Sequence, residues 1–163
     1  YGLSKLLGEE IIKFYSRYFG LNRLIFRYPN VYGPRQNPKG EAGIVAIFSW
    51  LMKNKERPTI FGDGSKARDY TYVGDIVRAN IIALNRGKDE TLNLGWGKPV
   101  NDQKIFDTLA AGLDFRQKPI YASYRKGEVY KITLNANRAK RSLGWQPKIK
   151  LEEGIRKTLS TIH

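Results

Sequence analysis

Helical and extended patterns alternate along the whole sequence, and this alternation restricts the fold more than any other feature. Leu3, Leu7, Ile11, Phe14 and Tyr18 recur at helical spacing before Gly20, so residues 3 to 19 are predicted as an amphipathic helix with a glycine stop. Leu24 to Tyr28 is a short apolar run closed by Pro29 and by the turn-rich Gly33-Pro34-Arg35-Gln36-Asn37-Pro38. It reads as a buried strand emptying into a long loop. Gly43 to Asn54 is helical, with Ile44, Ile47, Phe48 and Leu51 on one side. Pro58 to Phe61 and Asp69 to Val73 read as strands on either side of the turn Gly62-Asp63-Gly64-Ser65. Asp75 is expected to cap a helix through Ile76, Ala79, Ile82 and Ala83 that stops at Gly87. Thr91 to Leu94 is a strand, Asn101 caps a helix to Leu113, and Pro119 to Ala122 is extended. Ala136 to Leu143 is a helix ended by Gly144, and Leu151 to Ile162 is the last helix. Strands alternating with helices predict an α/β domain with a largely parallel sheet, the class in which loops leaving strand ends hold ligands.

A chain of 163 residues is long enough for one domain with a real core and short for two. It opens on Tyr1, inside a helical pattern, which reads as a fragment with sequence removed upstream. No apolar run approaches the roughly 20 residues of a membrane span, so a soluble, cytoplasmic protein without a membrane partner is expected. Cysteine is absent, which excludes disulfides, thiolate zinc sites and a cysteine nucleophile. The single histidine is His163, at the end of the chain, so histidine-dependent catalysis and a metal site are not expected. The formal charge of +14 points to an anionic partner: nucleic acid, an acidic membrane surface or a phosphorylated small molecule. Composition does not choose among these, and a solvated basic surface accounts for the charge equally well.

Tyr1 and Lys5 stand four residues apart at the head of the first helix, so their side chains share one face. An ammonium beside a phenol favours the phenolate, which makes tyrosine a usable general base. About one such pair is expected by chance in a chain of this composition. This one, however, opens a helix that runs into a buried strand ending in Arg27-Tyr28-Pro29-Asn30-Val31-Tyr32-Gly33-Pro34-Arg35.

At that point the sequence resembles the extended short-chain dehydrogenase/reductases, and among them the NAD-dependent nucleotide-sugar epimerases of the UDP-glucose 4-epimerase kind. Further blocks follow in the family's order: Gly40-Glu41-Ala42-Gly43-Ile44, Ile60-Phe61-Gly62-Asp63-Gly64-Ser65 with Arg68-Asp69-Tyr70, and Asn93-Leu94-Gly95. The last are Arg125-Lys126-Gly127-Glu128 and Leu143-Gly144-Trp145-Gln146-Pro147. The resemblance implies the C-terminal part of a Rossmann-fold enzyme. Residues 1–30 and 75–95 would complete the cofactor domain, while 31–74 and 96–163 form a small substrate-binding α/β lobe. The N-terminal dinucleotide-binding half would be absent, and no Gly-x-x-Gly-x-x-Gly phosphate loop follows any strand here.

Carried over residue by residue, the resemblance makes Tyr1 the acid/base tyrosine and Lys5 the lysine that holds the nicotinamide ribose. Tyr28 and Pro29 fall beside the nicotinamide end of NAD, and Asn30 near the substrate phosphates. Thr59 and Phe61 match a stretch whose backbone faces uracil. Arg68 and Arg125 match a pair of guanidinium groups on the diphosphate, and Glu128 an acid beside the nucleoside ribose. The planar donor fork of arginine suits paired phosphate oxygens, which agrees with the assignment. Pro29 departs from a common phenylalanine, Gly74 from a frequent aspartate and Asn135 from an aspartate that often begins a helix. Trp145 reads as a core anchor. The implied activity is epimerisation at C4 of a UDP-sugar through a 4-keto sugar, in a homodimer. A nucleotide-sugar 4,6-dehydratase or decarboxylase of the same superfamily, and a basic nucleic-acid-binding module, are the alternatives.

Overall fold

The computed structural model describes residues 1–40 and 42–161; Glu41, Ile162 and His163 lie outside them. The chain is α/β. Helix α1 (Gly2–Phe19) ends where Gly20 adopts the left-handed conformation that its missing Cβ permits, φ 64°, with its amide on Ser16 O. Strand β1 (Leu24–Arg27) runs parallel to β6 (Glu90–Asn93), Leu24 opposite Glu90 and Arg27 opposite Asn93. Arg27 also forks onto Glu9 at 2.6 and 2.7 Å, tying β1 to α1. That fork holds the Glu9 carboxyl below the usual range.

After Pro29 the chain does not enter a loop at once, as the sequence reading had it. Asn30–Tyr32 forms a second strand, β2, parallel to β5 (Tyr70–Tyr72). Proline removes one ladder donor, and the chain uses the break to change partners: β1 lies beside β6, and β2 beside β5. Strand β3 (Thr59–Phe61) is parallel to β8 (Ile120–Ala122), and the short β4 (Ala67–Arg68) is antiparallel to β7 (Val100–Asn101). Three of the four ladders among the described residues are parallel. They are separate two-stranded pairs, so the expected single sheet is broken up.

Five further helices complete the described elements: α2 (Ile44–Lys53), α3 (Val73–Ala83), α4 (Asp102–Gly112), α5 (Asn137–Leu143) and α6 (Leu151–Leu159). Asn101 caps α4 as expected, its Oδ1 accepting from Lys104 N at 2.8 Å. Gly144 ends α5 in the left-handed region, φ 67°. Asp75 is not a cap. The N-cap of α3 is Tyr72, and Asp75 lies in the first turn, where its buried carboxylate accepts from Lys148 N and Ile149 N at 2.9 Å each and from Arg78 at 2.6 Å. Two amides and a guanidinium from elsewhere outcompete the local cap. The helix also stops at Ala83, short of Gly87, whose φ of 80° serves the turn before β6.

Two cores result. Val45, Phe48 and Met52 of α2 meet Phe106 and Leu109 of α4, Ile155 of α6 and Ile60 of β3. Leu92, Leu94, Ile76, Ala79, Leu143 and Trp145 form the second, and Trp145 is fully buried with its Nε1 donating to Asp75 O at 2.9 Å. Trp145 is thus the anchor the sequence suggested. The predicted inner face of α2 is displaced: Val45, Ala46, Phe48, Ser49 and Met52 are buried, while Ile44, Ile47 and Leu51 are only partly so.

Candidate functional site

Those half-covered α2 side chains are not facing open solvent. They form one wall of a cavity of about 380 Å³, whose other walls come from β2 to β5, the start of α4 and the turn at residues 125–128. Asn30, Thr59, Phe61, Arg68, Arg125 and Glu128 all line it. The fold therefore brings together, from four separate stretches of sequence, the six residues that the resemblance places around a nucleotide-sugar. Asn30 arrives through β2, whose first amide is fixed on Asp69 O at 2.9 Å. Thr59 and Phe61 are the two ends of β3, and Arg68 is the second residue of β4.

The charges are arranged rather than scattered. The Arg125 guanidinium sits over the Phe61 ring, 3.7 Å from its centroid, a cation–π contact that holds the fork in place. Arg68 donates from Nη1 to Ala67 O at 3.0 Å and to Tyr130 O at 3.2 Å. Both bonds use one nitrogen of a group with five donors. Three further ionisable side chains outside the sequence-derived set also line the cavity: Lys66, Tyr70 and Asp102. Lys66 is buried, paired with Glu128 and 3.7 Å from Asp102. Burial pushes the Asp102 carboxyl up, opposed by the charges of Lys66 and Arg68. Burial, then the charge of Asp102, raises the Tyr70 phenol as well. Three cations face two carboxylates and an apolar α2 wall, an arrangement suited to an anion carrying a flat or apolar group. Sequence gave little hint of Lys66, because a lysine after a Gly-Asp-Gly-Ser turn looks like surface charge and its partner Glu128 lies 62 positions away.

Tyr1, Lys5, Tyr28 and Pro29 do not line this cavity. Tyr1 heads α1 with 89% of its surface exposed, and Lys5 Nζ lies 5.1 Å from its ring centroid, over the ring face. Tyr28 follows β1 and hydrogen-bonds Asn80 Oδ1 at 3.0 Å. Only Pro29 separates it from Asn30, so one short segment connects the two groups of residues.

Residues 1–158 match the sequence model of the family described as GDP-mannose 4,6 dehydratase. The chain belongs to this family. A Methanocaldococcus jannaschii family relative, provisionally named a UDP-glucose 4-epimerase, is 49% identical over 98% of this chain and 52% of its own length. The Mycolicibacterium smegmatis UDP-glucose 4-epimerase is 37% identical over 98% of the chain and 51% of its own. Among solved structures, the Thermotoga maritima UDP-glucose 4-epimerase with UDP-glucose superposes with a TM-score of 0.96 at 44% identity. It covers 99% of this chain and 52% of that one. The Thermus thermophilus UDP-glucose 4-epimerase complex with NAD gives 0.90 at 33% identity, over 99% and 53%. The chain spans about half the length of the curated relatives it matches. Among the described residues, no helix is long and apolar enough to cross a membrane.

Proposed function

We propose that this chain is the C-terminal, substrate-gripping portion of an NAD-dependent nucleotide-sugar 4-epimerase acting on UDP-sugars of the glucose/galactose type. The observation that carries the reading is the cavity itself. Two arginines, Asn30, the β3 edge at Thr59 and Phe61, and Glu128 surround one space, in a chain 44% identical to an enzyme solved with UDP-glucose. Arg68 and Arg125 grip the diphosphate through charge-assisted hydrogen bonds, Asn30 bonds beside it, and Glu128 meets the nucleoside ribose.

The catalytic pair is Tyr1 and Lys5. The two side chains share one face of α1, with the Lys5 ammonium over the Tyr1 ring, so one cofactor and one sugar hydroxyl could meet both. Tyr1, Lys5, Tyr28 and Pro29 would hold the nicotinamide end of NAD, which when bound supplies a hydride acceptor and donor. Tyr1 would take the proton from the sugar 4-hydroxyl on the way to a 4-keto sugar and would give it back when the 4-hydroxyl is re-formed with the opposite configuration. The grip falls on the nucleotide, so the sugar is free to turn over between the two transfers.

The enzyme works as a cytoplasmic homodimer in this reading, with the apolar face of α1 as the contact. Interconversion of UDP-glucose and UDP-galactose by the intact enzyme tests the activity. Release of a 4-keto-6-deoxy sugar nucleotide instead would assign the chain to the 4,6-dehydratases, an outcome favoured by the family description and by 29% identity to an Escherichia coli dTDP-glucose 4,6-dehydratase.

A further inference from the structure

A strap of chain, residues 122 to 132, crosses the turn between β3 and β4 and is fastened to it at both ends. At one end Gly62 N donates to Ala122 O at 2.8 Å and the Tyr124 hydroxyl to Asp63 at 2.7 Å. Tyr124 lies so close over Gly62 that a Cβ there would meet its ring at 2.2 Å. The Ser65 hydroxyl and amide, then Tyr124, hold the Asp63 carboxyl down to about 2. At the other end Ala67 N donates to Tyr130 O at 2.9 Å, Ile132 N to Ala67 O at 3.2 Å, and the Ser65 and Tyr130 hydroxyls lie 2.6 Å apart.

Between these ends Arg125, Lys126, Gly127 and Glu128 are exposed. Two charged contacts hold this middle stretch against the body: Arg125 over Phe61, and Glu128 on Lys66. Lys66 is itself 7% exposed, and its backbone oxygen accepts from Asp102 N at 2.9 Å while Asp102 Oδ2 lies 3.7 Å from its ammonium. A long, flexible side chain held this way is a fixed post.

We infer that Lys66 is a positioning residue for the anion site: by pairing with Glu128 it fixes the middle of the strap and so keeps Arg125 on the cavity wall. It acts through Glu128 and Arg125, since its ammonium is engaged by Glu128 with Asp102 Oδ2 3.7 Å away; because Lys66 also lines the cavity, the test must separate this role from direct contact. This rests on the nucleoside-diphosphate reading of the cavity.

The test is a double-mutant cycle on UDP affinity in the intact enzyme, by calorimetry, with Lys66→Met, Arg125→Ala and both, alongside hydrogen exchange of the 124–130 segment. Lys66→Met is expected to weaken UDP about tenfold, comparable to one charged hydrogen bond. In the Arg125→Ala background it should add less than about twofold, and Lys66→Arg should restore most of the affinity. Exchange in 124–130 should rise with Lys66→Met. Full, additive losses would mean that Lys66 contacts the anion itself, and the inference fails. It fails too if Arg125→Ala is costly and Lys66→Met is silent. Should Arg125→Ala leave UDP binding unchanged, the reading of the cavity falls first and takes this inference with it. If Lys66→Met does not fold, Glu128→Gln releases the strap from its exposed side, and unchanged exchange in 124–130 there overturns the inference.

Discussion

Helices α1 and α2 are both rich in apolar residues, yet they use them in opposite ways. The ten residues of α2 bury five side chains, and three of them, Val45, Phe48 and Met52, share a core with α4, α6 and β3. The eighteen of α1 bury only Ser16, and Leu3, Leu7, Ile11, Phe14 and Tyr18 are each exposed by half or more. The aromatic residues of α1 instead rest on one another, Phe14 on Tyr18 at 5.8 Å and Tyr15 on Phe19 at 5.5 Å. Periodicity reports that a helix has an apolar face. It does not report what covers that face, and a contiguous exposed one is the mark of an interaction surface. On the functional reading the division is also one of labour: α1 carries the chemistry, and the lobe built on α2 carries the grip.

The sharpest way to break that division is Tyr1→Phe in the intact enzyme. Turnover should fall by about 10²- to 10⁴-fold, the usual cost of losing a general base, while the UDP-glucose dissociation constant stays put. A parallel loss of affinity would merge the two regions. On the packed side, Trp145→Ala should cost about 3–5 kcal/mol in denaturant unfolding, since the indole is fully enclosed and its N–H is bonded. A cost near 1 kcal/mol would show that this core is as loosely held as α1.

Arg68→Ala and Arg125→Ala should each weaken UDP-sugar binding by about 1.5–3 kcal/mol. Arg141→Ala and Lys148→Ala, equally basic but outside the cavity lining, should change it by under about 0.5 kcal/mol. Equal small losses at all four positions would replace the local grip with diffuse electrostatics. The smallest expected effect belongs to α1: Leu7→Ala in the 163-residue chain should move stability by less than about 0.5 kcal/mol. The same chain should nonetheless self-associate in sedimentation, and Phe14→Lys should reduce it. A monomer with or without the lysine would leave the exposed face without a role as a contact.

The parts legible in the sequence are those decided within a few residues. Gly20 and Gly144 end helices because the left-handed turn is a local matter, and Asn101 caps α4 because its partner amide is three residues away. What the sequence concealed was decided at a distance. Asp75 looks like a cap until the amides of Lys148 and Ile149 claim it. Asn30–Tyr32 looks like the start of a loop until β5 lies beside it. At the cavity, the arginines are visible because arginine after a turn in a known order of blocks is a recognisable pattern. Lys66 and Asp102 are not, since the ion pairs that bring Lys66 to Asp102 and to Glu128 join residues far apart in the sequence.

Asp69 lies between the cavity residues Arg68 and Tyr70, and its carboxylate accepts from the backbone amides of Trp96, Gly97 and Leu134 at 2.8 to 3.2 Å. Because the donors are main-chain groups, the side chains at 96 and 134 are free to drift without loosening the join. Gly95 is not, since a Cβ there would come within 2.6 Å of the carboxylate. One acid thus sets the tolerance of three segments at once, so a library that varies positions 96 and 134 while keeping 69 and 95 fixed explores new rims around an undisturbed grip.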